Sequence, residues 1–110
     1  MAIFFYTIIC IKNYRILLQV REICEVINAG TQPIQNLCVM NKHSSDPSER
    51  TKWSNFWIEK GLQSVEILLS KCSGNFCVGD SFTMADCCLV PQVYNANRYG
   101  KLLVQNFTTR

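Results

Sequence analysis

Apolar residues recur at helical spacing along much of the chain, and the first such stretch predicts an α-helix with a bend. Its apolar positions follow steps of three and four residues, which places them on one helix face: Ile23, Ile27, Gly30, Ile34 and Leu37. Pro33 lies within this pattern and removes one backbone hydrogen bond, so we expect the helix to kink there. The polar segment 41–46 should then end the helix.

A second helix is predicted from clear start and stop signals. Asp46 supplies an N-cap acceptor, Pro47 fits the first helical position, and Glu49 places a carboxylate in the first turn. Its buried face is predicted from four residues at helical spacing: Ile58, Leu62, Val65 and Leu69. Because Gly61 lowers helix propensity by about 1 kcal/mol relative to Ala, we expect a neighbouring helix to approach closely there. Residues 73–74 should end this helix.

The third predicted helix begins at Thr83. Asp86 follows three residues later and forms a capping box with Thr83, in which the hydroxyl and the carboxylate each accept a hydrogen bond from an otherwise unpaired backbone N–H. The buried face of this helix is predicted from Ala85, Leu89, Val93 and Ala96. Pro91 should introduce a second kink. Three helices without an alternating run of strand length predict an all-α helical bundle.

The composition fits a single globular domain. A chain of 110 residues with 48% hydrophobic and 17% charged residues is too apolar for a disordered tail. The net charge of +3 comes without a run of Lys or Arg, so nothing indicates nucleic acid as a partner. The apolar run 3–11 is shorter than the roughly 20 residues of a membrane-spanning helix, and a peripheral membrane anchor is the less favoured alternative.

Seven cysteines at irregular spacing do not form a recognisable disulfide framework. Most lie among Ile, Leu and Val, where a reduced cysteine behaves as a small apolar residue. We therefore expect free thiols in a reducing compartment, the cytoplasm, with mitochondria as the alternative. No metal site is expected, because Cys72 and Cys77 lack a second pair of ligands. His43, the only histidine of the sequence, is interpreted as a solvated loop residue.

Two polar groupings could contact a ligand. Gln32 and Asn36 are four residues apart and should therefore share one helix face, with Gln35 beside them. Amide side chains offer the donors and acceptors that suit a peptide-like ligand. The alternative is a solvated stripe on an amphipathic helix. Arg98, at the end of the third helix, suits either a carboxylate ligand or the helix dipole. No nucleophile–base pair is found, so no catalytic residue is predicted.

Two stretches of the chain carry a family resemblance: EVINAGTQPIQNLCV at residues 25–39 and FCVGDSFTMADCCLVPQVYNANRY at residues 76–99. Both resemble the zeta-class glutathione transferases, or maleylacetoacetate isomerases. Members of this family have a thioredoxin-like N-terminal domain followed by an all-α domain, and they usually form dimers. They use glutathione to isomerise maleylacetoacetate to fumarylacetoacetate in tyrosine and phenylalanine breakdown.

The resemblance implies a domain division and a set of ligand contacts. Residues 19–99 would form the all-α glutathione transferase C-terminal-like domain, between a divergent apolar segment at 1–18 and a divergent tail at 100–110. Gln32 matches the family's glutathione-contacting glutamine of a Gln-Pro pair. The family's Asn-Leu-Ser glutathione contact corresponds here to Asn36, Leu37 and Cys38. Arg98 matches the arginine that holds the carboxylate of the dicarboxylic keto-acid substrate.

The family's thiol-activating Ser-Ser-Cys motif lies in the thioredoxin-like domain and does not occur in this sequence, where Ser44 and Ser45 are followed by Asp46. We therefore expect a truncated zeta-class protein that lacks the thioredoxin-like half and is inactive as an isolated chain. Without a donor near its sulfur, the glutathione thiol stays mostly protonated at neutral pH. The alternative is a non-catalytic interaction module that associates with itself or with full-length subunits.

Overall fold

The computed structural model of the protein describes residues 14–99. In this part the chain forms four α-helices: α1 (Tyr14–Asn28), α2 (Leu37–His43), α3 (Pro47–Cys72) and α4 (Met84–Tyr99). The predicted all-α class is confirmed, and the extended pairing found within 14–99 is a single bridge between Ser73 and Gly79.

None of these four helices combines the length and apolar character needed to cross a bilayer. The apolar run 3–11, on which the membrane-anchor alternative rests, lies outside the described residues. The predicted divergent tail at 100–110 also lies outside them.

The helices share a core with α1 at its centre. α1 packs against both α3 and α4, whereas α2 packs against α3 and not against α4. The larger group of buried apolar side chains lies between α1, α3 and the start of α4: Ile23, Ile27, Val65, Cys77, Val78 and Ala85. A smaller group joins α3 to the end of α4: Ile58, Leu62 and Ala96. The buried faces predicted for α3 and α4 are therefore confirmed at these positions.

The prediction of one kinked helix through Pro33 is wrong. α1 ends at Asn28, residues 29–35 form consecutive turns, and a new helix begins at Leu37. Pro33 has no N–H donor and its ring disfavours helical backbone at the preceding residue, while Asn36 offers an N-cap that starts α2. Leu37 leaves the predicted buried face as a result and is 66% exposed.

Gly61 marks a close approach, as expected, but its partner is a turn rather than a neighbouring helix. A Cβ added to Gly61 would lie 2.9 Å from Thr31 Cγ2 and would collide with the Thr31 hydroxyl. Thr31 is itself buried, and its hydroxyl donates to the Val26 carbonyl oxygen at 2.9 Å. The absence of a side chain at position 61 therefore lets the turn 29–35 pack directly against α3.

The loop between α3 and α4 is held by Asp86. Its Oδ1 accepts a hydrogen bond from the Cys77 N–H at 2.8 Å. Its Oδ2 accepts from the Thr83 N–H at 2.8 Å and from the Thr83 hydroxyl at 3.0 Å. The hydroxyl thus donates to the carboxylate, whereas the predicted capping box had it accept from a backbone N–H. An ionised carboxylate is the stronger partner for a hydroxyl, which accounts for the difference.

These hydrogen bonds control the ionisation of Asp86. Burial raises the pKa of its carboxyl group, but the hydrogen bonds from Cys77 and Thr83 outweigh burial, and the pKa lies below its usual value of 3.8. A folded-state pKa below the unfolded-state value stabilises the fold at pH values above the unfolded-state pKa. That stabilisation is lost as the pH falls through the folded-state pKa.

We predict that Asp86→Asn lowers the free energy of unfolding by about 1.5–3 kcal/mol at pH 7, because an amide leaves one of the buried N–H donors unpaired. Urea unfolding followed by circular dichroism measures this loss. The difference from the wild type should shrink below pH 3.8, where the wild-type carboxyl group itself begins to protonate.

Asp46→Asn is the matched control for this experiment. It makes the same chemical change at the N-cap of α3, where Asn caps about as well as Asp, so its stability should stay near that of the wild type. An Asp86 variant that unfolds at the same urea concentration as this control contradicts the structural role of Asp86.

Candidate functional site

The residues predicted to contact glutathione lie where α2 begins. Asn36 is the N-cap of α2, and its side-chain Oδ1 accepts a hydrogen bond from the Cys38 N–H at 3.1 Å. This bond uses the oxygen of the amide, so the exposed Asn36 keeps its NH2 group as a donor for a ligand. Leu37 and Cys38 follow in the first turn and are both exposed, whereas Gln32 lies earlier and is half-buried.

Gln32 and Asn36 do not share a helix face, contrary to the prediction from their spacing. The four-residue repeat applies within a continuous helix, and the turn 29–35 separates α1 from α2. Backbone hydrogen bonds shape this turn, since the Gln32 N–H donates to the Ile27 carbonyl oxygen at 2.9 Å. Any shared role of the two amides therefore depends on the conformation of the turn.

A buried pair of amide side chains attaches this turn to α4. Gln35 Nε2 donates to Gln92 Oε1 at 2.9 Å, and Gln92 Nε2 donates to Gln35 Oε1 at 3.1 Å. Gln92 is 0% exposed and Gln35 is 8% exposed. The sequence did not reveal this pair, although Gln92 lies between Leu89 and Ala96 on the predicted buried face of α4. The position of Gln92, a polar residue on a face predicted to be apolar, was the feature of the sequence that could have indicated a buried polar contact.

Arg98 lies in the last turn of α4 and is exposed. It follows Gln92 by six residues, which corresponds to about 9 Å along a helix axis. Arg98 lies on α4, which does not pack against α2. The contact that connects α4 to the Asn36 segment is the hydrogen-bonded pair of Gln92 and Gln35.

An open, mainly apolar cleft of about 450 Å³ lies along α2, between this helix and Trp53 of α3. Five residues line it: Cys38, Val39, Lys42, His43 and Trp53. Trp53 connects the cleft to the turn, because its Nε1 donates to the Ile34 carbonyl oxygen at 3.1 Å. His43 is exposed, as expected, but it is the last residue of α2 rather than a loop residue, and it stacks on Trp53 with ring centroids 4.1 Å apart.

Known proteins match this chain over most of its length. No family model matches it. The chain is 48% identical over 81 residues to probable maleylacetoacetate isomerase 2 of Drosophila melanogaster, covering 74% of this chain and 35% of that protein. It is 45% identical over 83 residues to the maleylacetoacetate isomerase of Dictyostelium discoideum, covering 73% and 38%. The chain thus spans little more than a third of the length of these curated relatives.

Solved structures match the fold as well as the sequence. The maleylacetoacetate isomerase of Anaeromyxobacter dehalogenans 2CP-1, with GSH bound in its active site, matches with a TM-score of 0.71 and 42% identity over 76% of this chain and 39% of that chain. A maleyl pyruvate isomerase described as a bacterial zeta-class glutathione S-transferase matches with a TM-score of 0.69 and 31% identity, covering 74% and 42%. The chain is homologous to the zeta-class glutathione transferases.

Glutathione is the cofactor of this zeta-class family, since a relative with 42% identity holds it in the active site. The two motifs that carried the resemblance occupy defined places in the fold described above. The Gln-Pro and Asn-Leu pairs lie in the turn 29–35 and at the start of α2. The second motif forms the loop before α4 and α4 itself. The zeta-class motifs therefore coincide with the segments that the buried polar groups hold in place.

The cysteines among the described residues range from exposed to buried. Cys38 and Cys87 are exposed. Burial, together with a hydrogen bond to Asp86, raises the pKa of Cys77 to about 12. Burial, together with a hydrogen bond to a neighbouring thiol, raises the pKa of Cys24 to about 11. Because the thiolate is the reactive form, neither the buried Cys77 nor the half-buried Cys24 is suited to act as a nucleophile at neutral pH.

Proposed function

We propose that this chain supplies the helical part of a maleylacetoacetate isomerase. The family reaction is the glutathione-dependent cis–trans isomerisation of maleylacetoacetate to fumarylacetoacetate in tyrosine and phenylalanine breakdown. The observation that carries the proposal is the exposed segment at the start of α2, where the family's glutathione-contact motif lies on an N-cap with an available amide donor. We place this activity in the cytoplasm.

The proposed glutathione contacts follow from the chemistry of this segment. The Asn36 NH2 group donates to a carbonyl or carboxylate oxygen of the tripeptide, and Gln32 provides a donor and an acceptor to its backbone. The Cys38 N–H is already bonded to Asn36, so Cys38 would contact glutathione through its side chain. A thiol is a weaker donor than the family's serine hydroxyl, and this contact should be correspondingly weak.

Arg98 is the proposed substrate contact. Its guanidinium is exposed at the end of α4 and can bind a carboxylate through two parallel hydrogen bonds. The substrate class is therefore a dicarboxylic keto acid, with one carboxylate held by Arg98. In the domain division that we propose, this site belongs to the helical domain at 19–99, whose first helix extends back to Tyr14.

We propose that the isolated chain does not activate the thiol of glutathione. The printed sequence contains no Ser-Ser-Cys motif, and no described residue is assigned to the ionisation of the ligand's sulfur. A free thiol has a pKa of about 8.5, so only a few per cent is ionised at pH 7. Binding and catalysis should therefore separate in this chain. It forms a homodimer or associates with full-length subunits, and only a full-length subunit can supply the missing motif.

We predict that the 110-residue chain binds glutathione and that Gln32→Ala weakens binding about tenfold, the loss expected for one ligand hydrogen bond. Isothermal titration calorimetry measures both dissociation constants. Gln63→Ala is the matched control, because Gln63 is exposed on α3 and bonds to Glu59 at 3.3 Å. A wild-type chain without affinity for glutathione contradicts the proposed contacts.

A second prediction concerns turnover. With saturating glutathione, the purified chain should isomerise maleylacetoacetate no faster than glutathione does in buffer, because the thiol remains largely protonated. Loss of the substrate absorbance under anaerobic conditions measures this rate, with an intact zeta-class enzyme as the positive control. A rate close to that of the control, with no other protein present, shows that the chain is an enzyme by itself.

Exposed apolar side chains favour a second candidate function, a non-catalytic interaction module. Val90 and Tyr94 are 68% and 75% exposed. They are four residues apart on α4 and therefore lie on the same helix face. The proposed partner is a second copy of the chain or a full-length subunit.

We predict for this module that the chain is dimeric at micromolar concentration and that Val90→Lys shifts it toward the monomer. Burying a lysine charge in an apolar contact is unfavourable, so the dissociation constant should rise at least tenfold. Sedimentation equilibrium measures it, and Gln63→Lys adds the same charge to an exposed site on α3 as the control. A monomeric wild type over the whole concentration range excludes self-association.

A further inference from the structure

The Gln35–Gln92 pair is a reciprocal contact between two buried amide side chains. Each side chain donates one hydrogen bond to the other, at 2.9 and 3.1 Å. A buried amide that loses its partner carries an unfavourable desolvation cost. The two amides can satisfy each other only in one relative orientation, so the pair fixes the position of Gln35 against α4 far more narrowly than an apolar contact would.

The segment that carries Gln35 needs such a constraint. Residues 29–35 are turns with a few backbone hydrogen bonds, such as the Gln35 N–H to the Thr31 carbonyl oxygen at 3.3 Å, but without the continuous series of a helix. Contacts from elsewhere in the fold therefore add to these bonds in setting their conformation. From α3 the turn receives the Trp53 Nε1 hydrogen bond to the Ile34 carbonyl oxygen. From α4 it receives the Gln92 side chain. Gln35 is adjacent to Asn36, so fixing Gln35 also fixes the direction in which α2 begins.

Gln92, the partner of Gln35, lies on α4, the helix that also carries Arg98. Cys88 and Gln92 are one helical turn apart on α4, and each receives a hydrogen bond from the neighbouring segment. Asn28 Nδ2 donates to Cys88 Sγ at 3.2 Å, and Gln35 Nε2 donates to Gln92. The end of α1 and the turn after it therefore each form a hydrogen bond with the same face of α4.

We infer that Gln35 and Gln92 are positioning residues, whose reciprocal hydrogen bonds hold the turn 29–35 on α4, orient the start of α2, and thereby set the affinity of the Asn36 segment for glutathione. The part concerning affinity rests on the proposed function, whereas the part concerning position does not. Neither residue is assigned a contact with glutathione or substrate. Their effect is transmitted through the orientation of Asn36 and Cys38.

The inference can be separated from a purely stabilising role by comparing single and double variants. Gln35→Leu or Gln92→Leu leaves one buried amide without a partner, so both single variants should have a lower urea midpoint than the wild type. Replacing both residues removes the unpaired group, and the double variant should recover most of the midpoint. The two leucines of the double variant, however, pack without a fixed orientation. We therefore expect the urea midpoint to recover but not the orientation of α2.

The readout for position is hydrogen exchange at the start of α2. The Val39 and Met40 N–H groups both donate to the Asn36 carbonyl oxygen at 3.0 Å, so their exchange reports whether α2 begins correctly. In the double variant these two amides should exchange at least fivefold faster than in the wild type. Gln63→Leu, which makes the same change at an exposed position of α3, should leave both rates unchanged.

The affinity readout is the dissociation constant for glutathione, measured by calorimetry. The double variant should bind about tenfold more weakly than the wild type, within the usual range of coupling between sites. Double-variant exchange rates equal to those of the wild type overturn the inference. So does wild-type affinity in the double variant. If the wild type itself does not bind glutathione while the exchange rates change as expected, the proposed function fails and the positioning role stands.

If the leucine variants do not fold, two further measurements still test the inference. The double variant Gln35→Met/Gln92→Met keeps unbranched side chains of similar length and is compared in the same way. In the unmodified chain, NMR exchange of the Gln92 side-chain NH2 group with and without glutathione tests the same coupling, because linkage between binding and positioning is reciprocal. Saturating glutathione should slow this exchange several-fold, and an unchanged rate in a chain that binds glutathione contradicts the inference.

Discussion

The turn between α1 and α2 has only a few backbone hydrogen bonds and not the continuous series of a helix, so the candidate site also depends on how other parts of the fold hold that turn. Thr31 packs against the bare backbone of Gly61, Ile34 accepts from Trp53, and Gln35 pairs with Gln92. These contacts come from α3 and α4, so the turn is shaped by the whole bundle. Asn36 can cap α2 and present its NH2 group only after the turn has this shape.

The loop before α4 is held by the same kind of interaction. Asp86 is buried near the start of α4 and gathers donors from Cys77 and Thr83. A carboxylate suits this position because two of its donors belong to loop backbone, which has no strand or helix partner to satisfy it. In the two longer irregular segments of the described chain, the turn 29–35 and the loop 73–83, a buried polar side chain supplies hydrogen bonds that regular backbone pairing does not. The apolar core sets the helix packing, and these polar groups set the connections.

The helices and their buried faces were predictable because their signals are local. Asp46 and Pro47 start α3 as expected, and the apolar positions predicted for the inner faces of α3 and α4 are buried or half-buried. The break after Asn28 was not predicted, because periodicity continues across it and a proline within a pattern can either kink or end a helix. The deciding residue was Asn36, whose capping role depends on the conformation of the preceding turn.

The candidate site was less predictable than the fold. The sequence placed Gln32 and Asn36 near each other along the chain, but their presumed shared face required a continuous helix. The resemblance to the zeta class named the contact segment, and the comparisons with known proteins agree with that family. The partner of Gln35 could not be read from local patterns, because its position depends on how α4 folds back over the end of α1.

The 57-residue separation between Gln35 and Gln92 has a consequence for the order of events during protein synthesis. A chain emerges from the ribosome N-terminus first, and contacts between distant residues must wait for the later partner. α1, α2 and α3 can therefore all be made before Gln35 has anything to pair with. The contacts of the turn with α3 can form at that stage, but the buried amide pair cannot, so the proposed positioning of the glutathione segment is completed last.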